Sequence, residues 1–246
     1  MMTPLGWSLL LGGAAAAANV VGGLVVVSRR SWNDLVLKYF IALGAGFMLA
    51  AVFLSMLPEA LKLGTHAPSL MLGGYFLVHF FEHTIAPHFH FGEEVHDEVM
   101  VHPAVGYSAL VGLSIHTFFD GVSIASGFLV SVPVGMLIFF AVALHKVPEG
   151  FTVASIALAS GRGKRAALTS AFVLAGATLA GVLGMHQFAE SVAWALPLSA
   201  GVTLYVAASD LMPEVNEPRG PLMPLVVFLG VALFWAAERA LAAFGL

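Results

Sequence analysis

Eight long apolar segments, separated by short polar, proline- or glycine-containing connections, make up most of this 246-residue chain. They cover residues 4–28, 36–61, 68–87, 103–130, 132–160, 165–187, 190–212 and 221–244. A helix needs roughly 20 apolar residues to cross the hydrocarbon core of a bilayer, and each segment is that long. Charged residues make up only 10% of the chain, whereas soluble domains carry about a quarter. The sequence therefore predicts an all-α integral membrane protein with eight transmembrane helices.

The composition also excludes several classes of site. There are only 10 Lys and Arg residues and no basic run, so we expect no nucleic-acid partner. The chain has no cysteine, which excludes disulfides, cysteine zinc sites and thiol nucleophiles. No basic region precedes the first apolar segment, so we interpret that segment as a first span and not as a cleavable signal peptide. We treat residues 1–246 as one membrane transport domain.

The basic residues predict the orientation of the spans. Seven of the ten lie on odd-numbered connections: Arg29, Arg30 and Lys38 on the first, Arg162, Lys164 and Arg165 on the fifth, and Arg219 on the seventh. Positively charged loops stay in the cytoplasm. We therefore expect both termini outside and the long third connection, about residues 88–102, in the cytoplasm.

Two short motifs repeat in adjacent spans. Residues 116–121 (HTFFDG) in the fourth span match residues 145–150 (HKVPEG) in the fifth. A second pair, 57–59 (LPE) and 212–214 (MPE), joins the second span to the seventh. Adjacent spans run in opposite directions, so these matches predict an inverted repeat with spans 1–3 and 6–8 flanking a central pair. Inverted repeats with a site at mid-membrane are typical of secondary transporters.

Four ionisable residues lie inside the central pair of spans. They are His116, Asp120, His145 and Glu149. Each costs about 2.5–3.5 kcal/mol at the centre of a membrane helix, and residues four apart share a helix face. If the two faces meet, two nitrogens and two carboxylates converge in a set that suits Zn²⁺. The alternative is that each span merely neutralises its own His–carboxylate pair.

These motifs resemble the fourth- and fifth-span signatures of the ZIP (Zrt/Irt-like) metal transporters. The LPE segment, the histidine-bearing third loop and residues 204–214 are similar to that family too. The resemblance implies uptake of a divalent metal toward the cytosol, a 3+2+3 helix arrangement and an elevator-like movement. Met48 in the second span resembles a family ligand, and we predict that its thioether binds the same metal. The alternative for Met48 is core packing.

One departure from the family pattern concerns the number of metal ions. Many prokaryotic members have a metal-binding residue after each motif histidine, whereas this chain has Thr117 and Lys146. An ammonium has no lone pair for a metal. We therefore predict a single-ion site in which Lys146 is a counter-charge to Asp120 or Glu149. The alternative is that Lys146 extends to solvent.

Further polar residues predict an ion pathway. Ser55 and Glu59 share a predicted face of the second span with Met48, and Asp210 and Glu214 lie late in the seventh span. We expect Glu59 at the outer end and Glu214 at the inner end to pass hydrated ions along. The alternative is that they are solvated end charges.

The third connection is rich in histidine. The sequence predicts metal capture at the cytosolic side by His83, His88, His90, His96 and His102. Histidine-rich tracts bind metals loosely, so we expect a flexible ligand reservoir. A soluble linker is the alternative.

Taken together, these patterns favour a divalent-metal carrier. Zn²⁺ is the leading substrate, with Fe²⁺, Mn²⁺ and Cd²⁺ as competitors, and no organic cofactor is expected. The alternative is an intramembrane zinc metallohydrolase with Glu149 as general base; a metal sensor is a third class. The expected partners are the metal ion and the lipid bilayer of a prokaryotic inner membrane, and a homodimer is left open.

Overall fold

A computed structural model describes residues 2–28, 34–85, 103–216 and 220–244. All regular elements in these ranges are helical. We label the α-helices α1 (Pro4–Val27), α2 (Asp34–Ala51), α3 (Leu57–Leu63), α4 (Ala67–Ile85), α5 (Pro103–Val130), α6 (Val132–Ala159), α7 (Gly163–Gln187), α8 (Val192–Tyr205), α9 (Met212–Asn216) and α10 (Leu222–Ala243). A 3₁₀ turn, Ala189–Ser191, precedes α8.

The helices confirm the predicted all-α membrane fold. Each of the eight apolar segments is helical in the structure, and the second and seventh segments each contain two α-helices. Seven helical stretches in the described ranges are long and apolar enough to cross a membrane. The helix α4 is not among them, because its second half carries His79, Glu82 and His83.

A single residue separates the two helices that carry the repeated motifs. Ser131 stands between α5 and α6, and its Oγ accepts a hydrogen bond from the backbone N–H of Val134 at 3.4 Å. A serine at this position satisfies one of the free N–H groups at a helix start. Since the connection is so short, α5 and α6 run antiparallel and bring their motifs to the same depth.

The second and seventh spans each contain a π-helical turn. The turns are Val52–Met56 and Val206–Leu211, and each is followed closely by a proline, Pro58 or Pro213. Proline removes a backbone donor and crowds the preceding turn, and a π-turn is one way for a helix to accommodate this. The first turn falls between Met48 and Glu59 and contains Ser55, so the regular 3.6-residue spacing does not hold across these three side chains.

Glycines allow two groups of helices to pack closely. In one group, α1, α5, α6 and α7 pack together; a Cβ atom at Gly121 of α5 would lie only 2.0 Å from the carbonyl oxygen of Thr178 on α7. In the other, α4 packs on α8 and α2 packs on α10, with Gly74 and Gly46 at the contacts. Small residues at helix contacts permit such backbone approach in lipid.

Candidate metal centre

The central helices bring the four predicted ionisable residues together. His116 and Asp120 project from α5, and His145 and Glu149 project from α6. One possible ligand atom from each residue lies within 4.8 Å of all the others. All four side chains are buried, with at most 3% of any one exposed. Side chains on a solvated surface are not buried to this extent, so these four residues form an internal polar site between the helices.

The contacts run across the helix interface. His116 Nε2 lies 3.4 Å from Glu149 Oε1, and His145 Nε2 lies 3.3 Å from Asp120 Oδ2. Each imidazole therefore meets the carboxylate of the other helix. This arrangement differs from the sequence alternative of two pairs, each closed within its own span.

The orientation of His145 directs its Nε2 toward the site. Its Nδ1 lies 3.1 Å from the carbonyl oxygen of Ala141, and a carbonyl only accepts, so Nδ1 carries the proton. The other ring nitrogen, Nε2, is in hydrogen-bond contact with Asp120 Oδ2, and it would bind a metal once it carries no proton. Histidines that bind metals commonly use one nitrogen in this way while the other is held by a backbone carbonyl.

Lys146 is fully buried beside both carboxylates. Its Nζ lies 2.6 Å from Asp120 Oδ2 and also pairs with Glu149 Oε2. It donates a longer hydrogen bond, 3.3 Å, to Thr117 Oγ1, while the Thr117 hydroxyl donates to Glu149 Oε1. Two carboxylates and one ammonium give a formal charge of −1, before any charge on the two imidazoles is counted. A buried negative charge of this kind favours a cation.

Met48 lies in the apolar core on the neighbouring helix. It is fully buried in a cluster with Ala45, Leu137 and Ala141. Gly44, one turn earlier on α2, is close to His145, because a Cβ atom there would lie 3.8 Å from that of the histidine. The structure thus places the helix of Met48 beside the site, and its role as a ligand stays a prediction.

Two of the predicted pathway residues line a cavity at one end of the second span. Ser55 and Glu59 share a cavity of about 250 Å³ with Ser131 and with Glu238 of α10. Glu59 also pairs with Lys62 at 2.6 Å. Glu238 was not predicted from the sequence; the available signal was that it is the one acidic residue of the eighth apolar segment, where it stands next to Arg239.

A second polar cluster joins α4 to the seventh span. Asp210 and Glu82 are buried, and the two carboxylates interact electrostatically. Tyr205 hydrogen-bonds to Glu82, and Tyr75 hydrogen-bonds to Ser209 at 2.9 Å. The structure therefore gives Asp210 an acidic neighbour from α4.

The remaining predicted residues lie toward the third and seventh connections. His83 is in the last turn of α4, where its ring lies 4.1 Å from that of His79. Glu214 belongs to α9, but its side chain is outside the described part of the chain. His88, His90, His96 and His102 lie outside the described residues as well.

Comparison with known proteins identifies the family. A family model described as "ZIP Zinc transporter" matches residues 90–237, which include both repeated motifs. This chain belongs to the ZIP zinc transporter family. The match confirms the resemblance seen in the motifs, and with the apolar helices it supports a multi-pass membrane protein.

Several curated relatives carry zinc-transporter names. "Zinc transporter ZIP13" of Danio rerio is 31% identical over 145 residues, which cover 52% of this chain and 40% of the relative. "Zinc transporter ZIP13" of Homo sapiens is 30% identical over 129 residues, covering 47% of this chain and 35% of the relative. "Zinc transporter SLC39A7" of Rattus norvegicus is 32% identical over 137 residues, which cover 51% of this chain and 29% of the relative. The matched part of this ZIP family member thus spans well under half of each relative. These relatives are eukaryotic, so a prokaryotic inner membrane stays a prediction.

Proposed function

We propose that this protein carries divalent metal ions across a membrane, with Zn²⁺ as the leading substrate, through the site between α5 and α6. One observation carries the proposal. The ligands of a tetrahedral zinc ion bound at about 2.0–2.1 Å lie about 3.3–3.4 Å apart. The two nitrogen–oxygen pairs, His116–Glu149 and His145–Asp120, are 3.4 and 3.3 Å apart. The site thus has four donor atoms within 4.8 Å of one another, and two of the distances between them already match those around one zinc ion.

We further propose that the site holds one ion. Lys146 fills the position beside the four side chains and contacts both carboxylates. A second cation there would meet an ammonium that has no lone pair to offer. Metal analysis of the purified, zinc-loaded protein tests this, since the proposal requires one ion per chain and two ions per chain would contradict it.

The direction and the route belong to the same proposal. We place the cavity of Ser55, Glu59 and Glu238 on the outer side and the Asp210–Glu82 cluster on the inner side, which makes transport run toward the cytosol. The basic residues support this orientation, because Lys164 of the fifth connection donates to the carbonyl oxygen of Val27 at 2.8 Å. The first and fifth connections, which carry six of the ten basic residues, are therefore at the same end of the molecule, and such connections stay in the cytoplasm. The histidines of the third connection would then collect ions where they leave.

The packing supports an elevator-like movement. The motif helices α5 and α6 share close contacts with α1 and α7, and we propose that these four helices move as one body. The helices α2, α4, α8 and α10 would then form the static part. The names of the relatives favour such a carrier over an intramembrane metallohydrolase.

Uptake into proteoliposomes tests the central claim. Purified protein is reconstituted, Zn²⁺ is added outside, and a trapped fluorescent indicator reports the initial rate. We expect His116→Ala and Glu149→Gln each to lower the rate at least about tenfold, because the first removes one of four ligands and the second replaces a carboxylate ligand by a neutral amide. His66→Ala, which changes an exposed histidine away from the site, is the matched control and should transport normally. Equal rates for His116→Ala and the unchanged protein would overturn the proposal.

A further inference from the structure

The first helix contributes one polar side chain to the interior of the motif-bearing group. Asn19 is fully buried. Within the described residues, neither its Nδ2 nor its Oδ1 has a hydrogen-bond partner. The other buried residues of α1 are glycine, alanine and one serine. Burying an amide without a partner is unfavourable, so a group that meets Asn19 in another state of the site would stabilise that state.

The packing of α1 on α6 identifies that group. A Cβ atom at Gly150 would lie 2.0 Å from the carbonyl oxygen of Asn19, so the two backbones are in direct contact there. Residues 146 and 150 are four apart and share one face of α6. The part of α1 that carries Asn19 therefore lies about one helical turn from the backbone of Lys146. In the present structure the Lys146 ammonium is turned to Asp120 and Glu149.

A divalent cation and this ammonium need the same carboxylates. Once the cation binds Asp120 and Glu149, it repels the ammonium, which then needs another acceptor inside the protein. We propose that Asn19 is a positioning residue whose Oδ1 accepts the Lys146 ammonium when the carboxylates hold a divalent cation. The inference rests on the proposed function, and it adds a third helix to the site and gives Lys146 two alternative positions.

A double-mutant cycle tests this. The dissociation constant for Zn²⁺ is measured by chelator competition on the full-length purified protein, for Asn19→Leu, Lys146→Met and the double variant. We expect Asn19→Leu to weaken binding about tenfold, because a hydrogen bond to a charged group is lost. In the Lys146→Met background the same change should alter binding less than about twofold. Equal weakening in both backgrounds, or none in the unchanged protein, would overturn the inference.

Controls separate this inference from folding and from the proposed function. The unfolding temperature without zinc should be equal or higher for Asn19→Leu, because an unpaired buried amide is removed. Asn19→Ala, which has a smaller side chain, replaces it in these measurements if the leucine variant does not fold. Ser8→Ala changes a buried residue on the same face of α1 and should leave zinc binding unchanged. If His116→Ala binds zinc as the unchanged protein does, the four-residue site fails and this inference with it. If only Asn19→Leu behaves normally, the site stands and the inference alone fails.

Discussion

Lys146 should weaken zinc binding at the site that it helps to hold together. Its Nζ is 2.6 Å from Asp120 Oδ2, and a zinc ion on the same oxygen would be about 2.0–2.2 Å away. With an ordinary angle at the oxygen, the ammonium and the ion are about 4 Å apart. At an effective dielectric constant of about 20, charges of +1 and +2 at that separation repel by about 8 kcal/mol.

We therefore expect Lys146→Met to bind zinc more tightly. Movement of the lysine away from the ion relieves part of the repulsion. Even one sixth of the full value is about 1.4 kcal/mol, which corresponds to a tenfold change in Kd. Chelator competition measures this directly. Lys62→Met is the control, since Lys62 is an exposed partner of Glu59 and surface pairs contribute about 0–1 kcal/mol. Unchanged or weaker zinc binding by Lys146→Met would refute the reasoning.

The same substitution should lower the stability of the metal-free protein. Removing Lys146 leaves two buried carboxylates without their cation, a loss that typically costs about 3–5 kcal/mol. Bound zinc replaces the missing positive charge. The unfolding temperature of Lys146→Met should therefore rise more on zinc addition than that of the unchanged protein, and an equal rise in both would contradict this account.

Three further predictions concern the cavity, the helix contacts and pH. Glu238→Gln should raise the zinc concentration for half-maximal uptake about threefold with an unchanged maximal rate, because it removes one charge from the cavity. Glu190→Gln is the control. If Glu238→Gln and the unchanged protein have the same half-maximal zinc concentration, ions do not enter through this cavity. Gly150→Ala should lower the free energy of unfolding by about 1–3 kcal/mol through overpacking, whereas Gly13→Ala, with nothing within 4 Å, should raise it by about 0.5–1 kcal/mol; a shift of the same sign in both would show that the contact is unimportant. Zinc affinity should fall as pH is lowered from about 7.5 to 5.5, since the ligands must lose their protons to bind. A Kd that does not change with pH would exclude the two imidazoles as zinc ligands.

The length and spacing of the apolar segments predicted much of the fold. A span must be apolar over roughly 20 residues to cross lipid, so the positions of eight helices can be read along the chain. The four-residue spacing of His116–Asp120 and of His145–Glu149 likewise fixes which side chains share a face. Both are local properties, because each can be predicted from one helix without knowing how that helix packs.

Only the tertiary structure decided which side chains meet between helices. The cross-helix pairing of His116 with Glu149, the double contact of Lys146 and the grouping of Glu238 with Glu59 all depend on how helices cross and how closely they approach. Glycines at the crossings set that approach, and a glycine in a sequence does not reveal its partner. Asn19 illustrates the point, because its amide matters to the site only through the contact of α1 with Gly150. The spacing of residues along the sequence determines which side chains share a helix face, whereas the packing of helices determines which side chains of different helices meet.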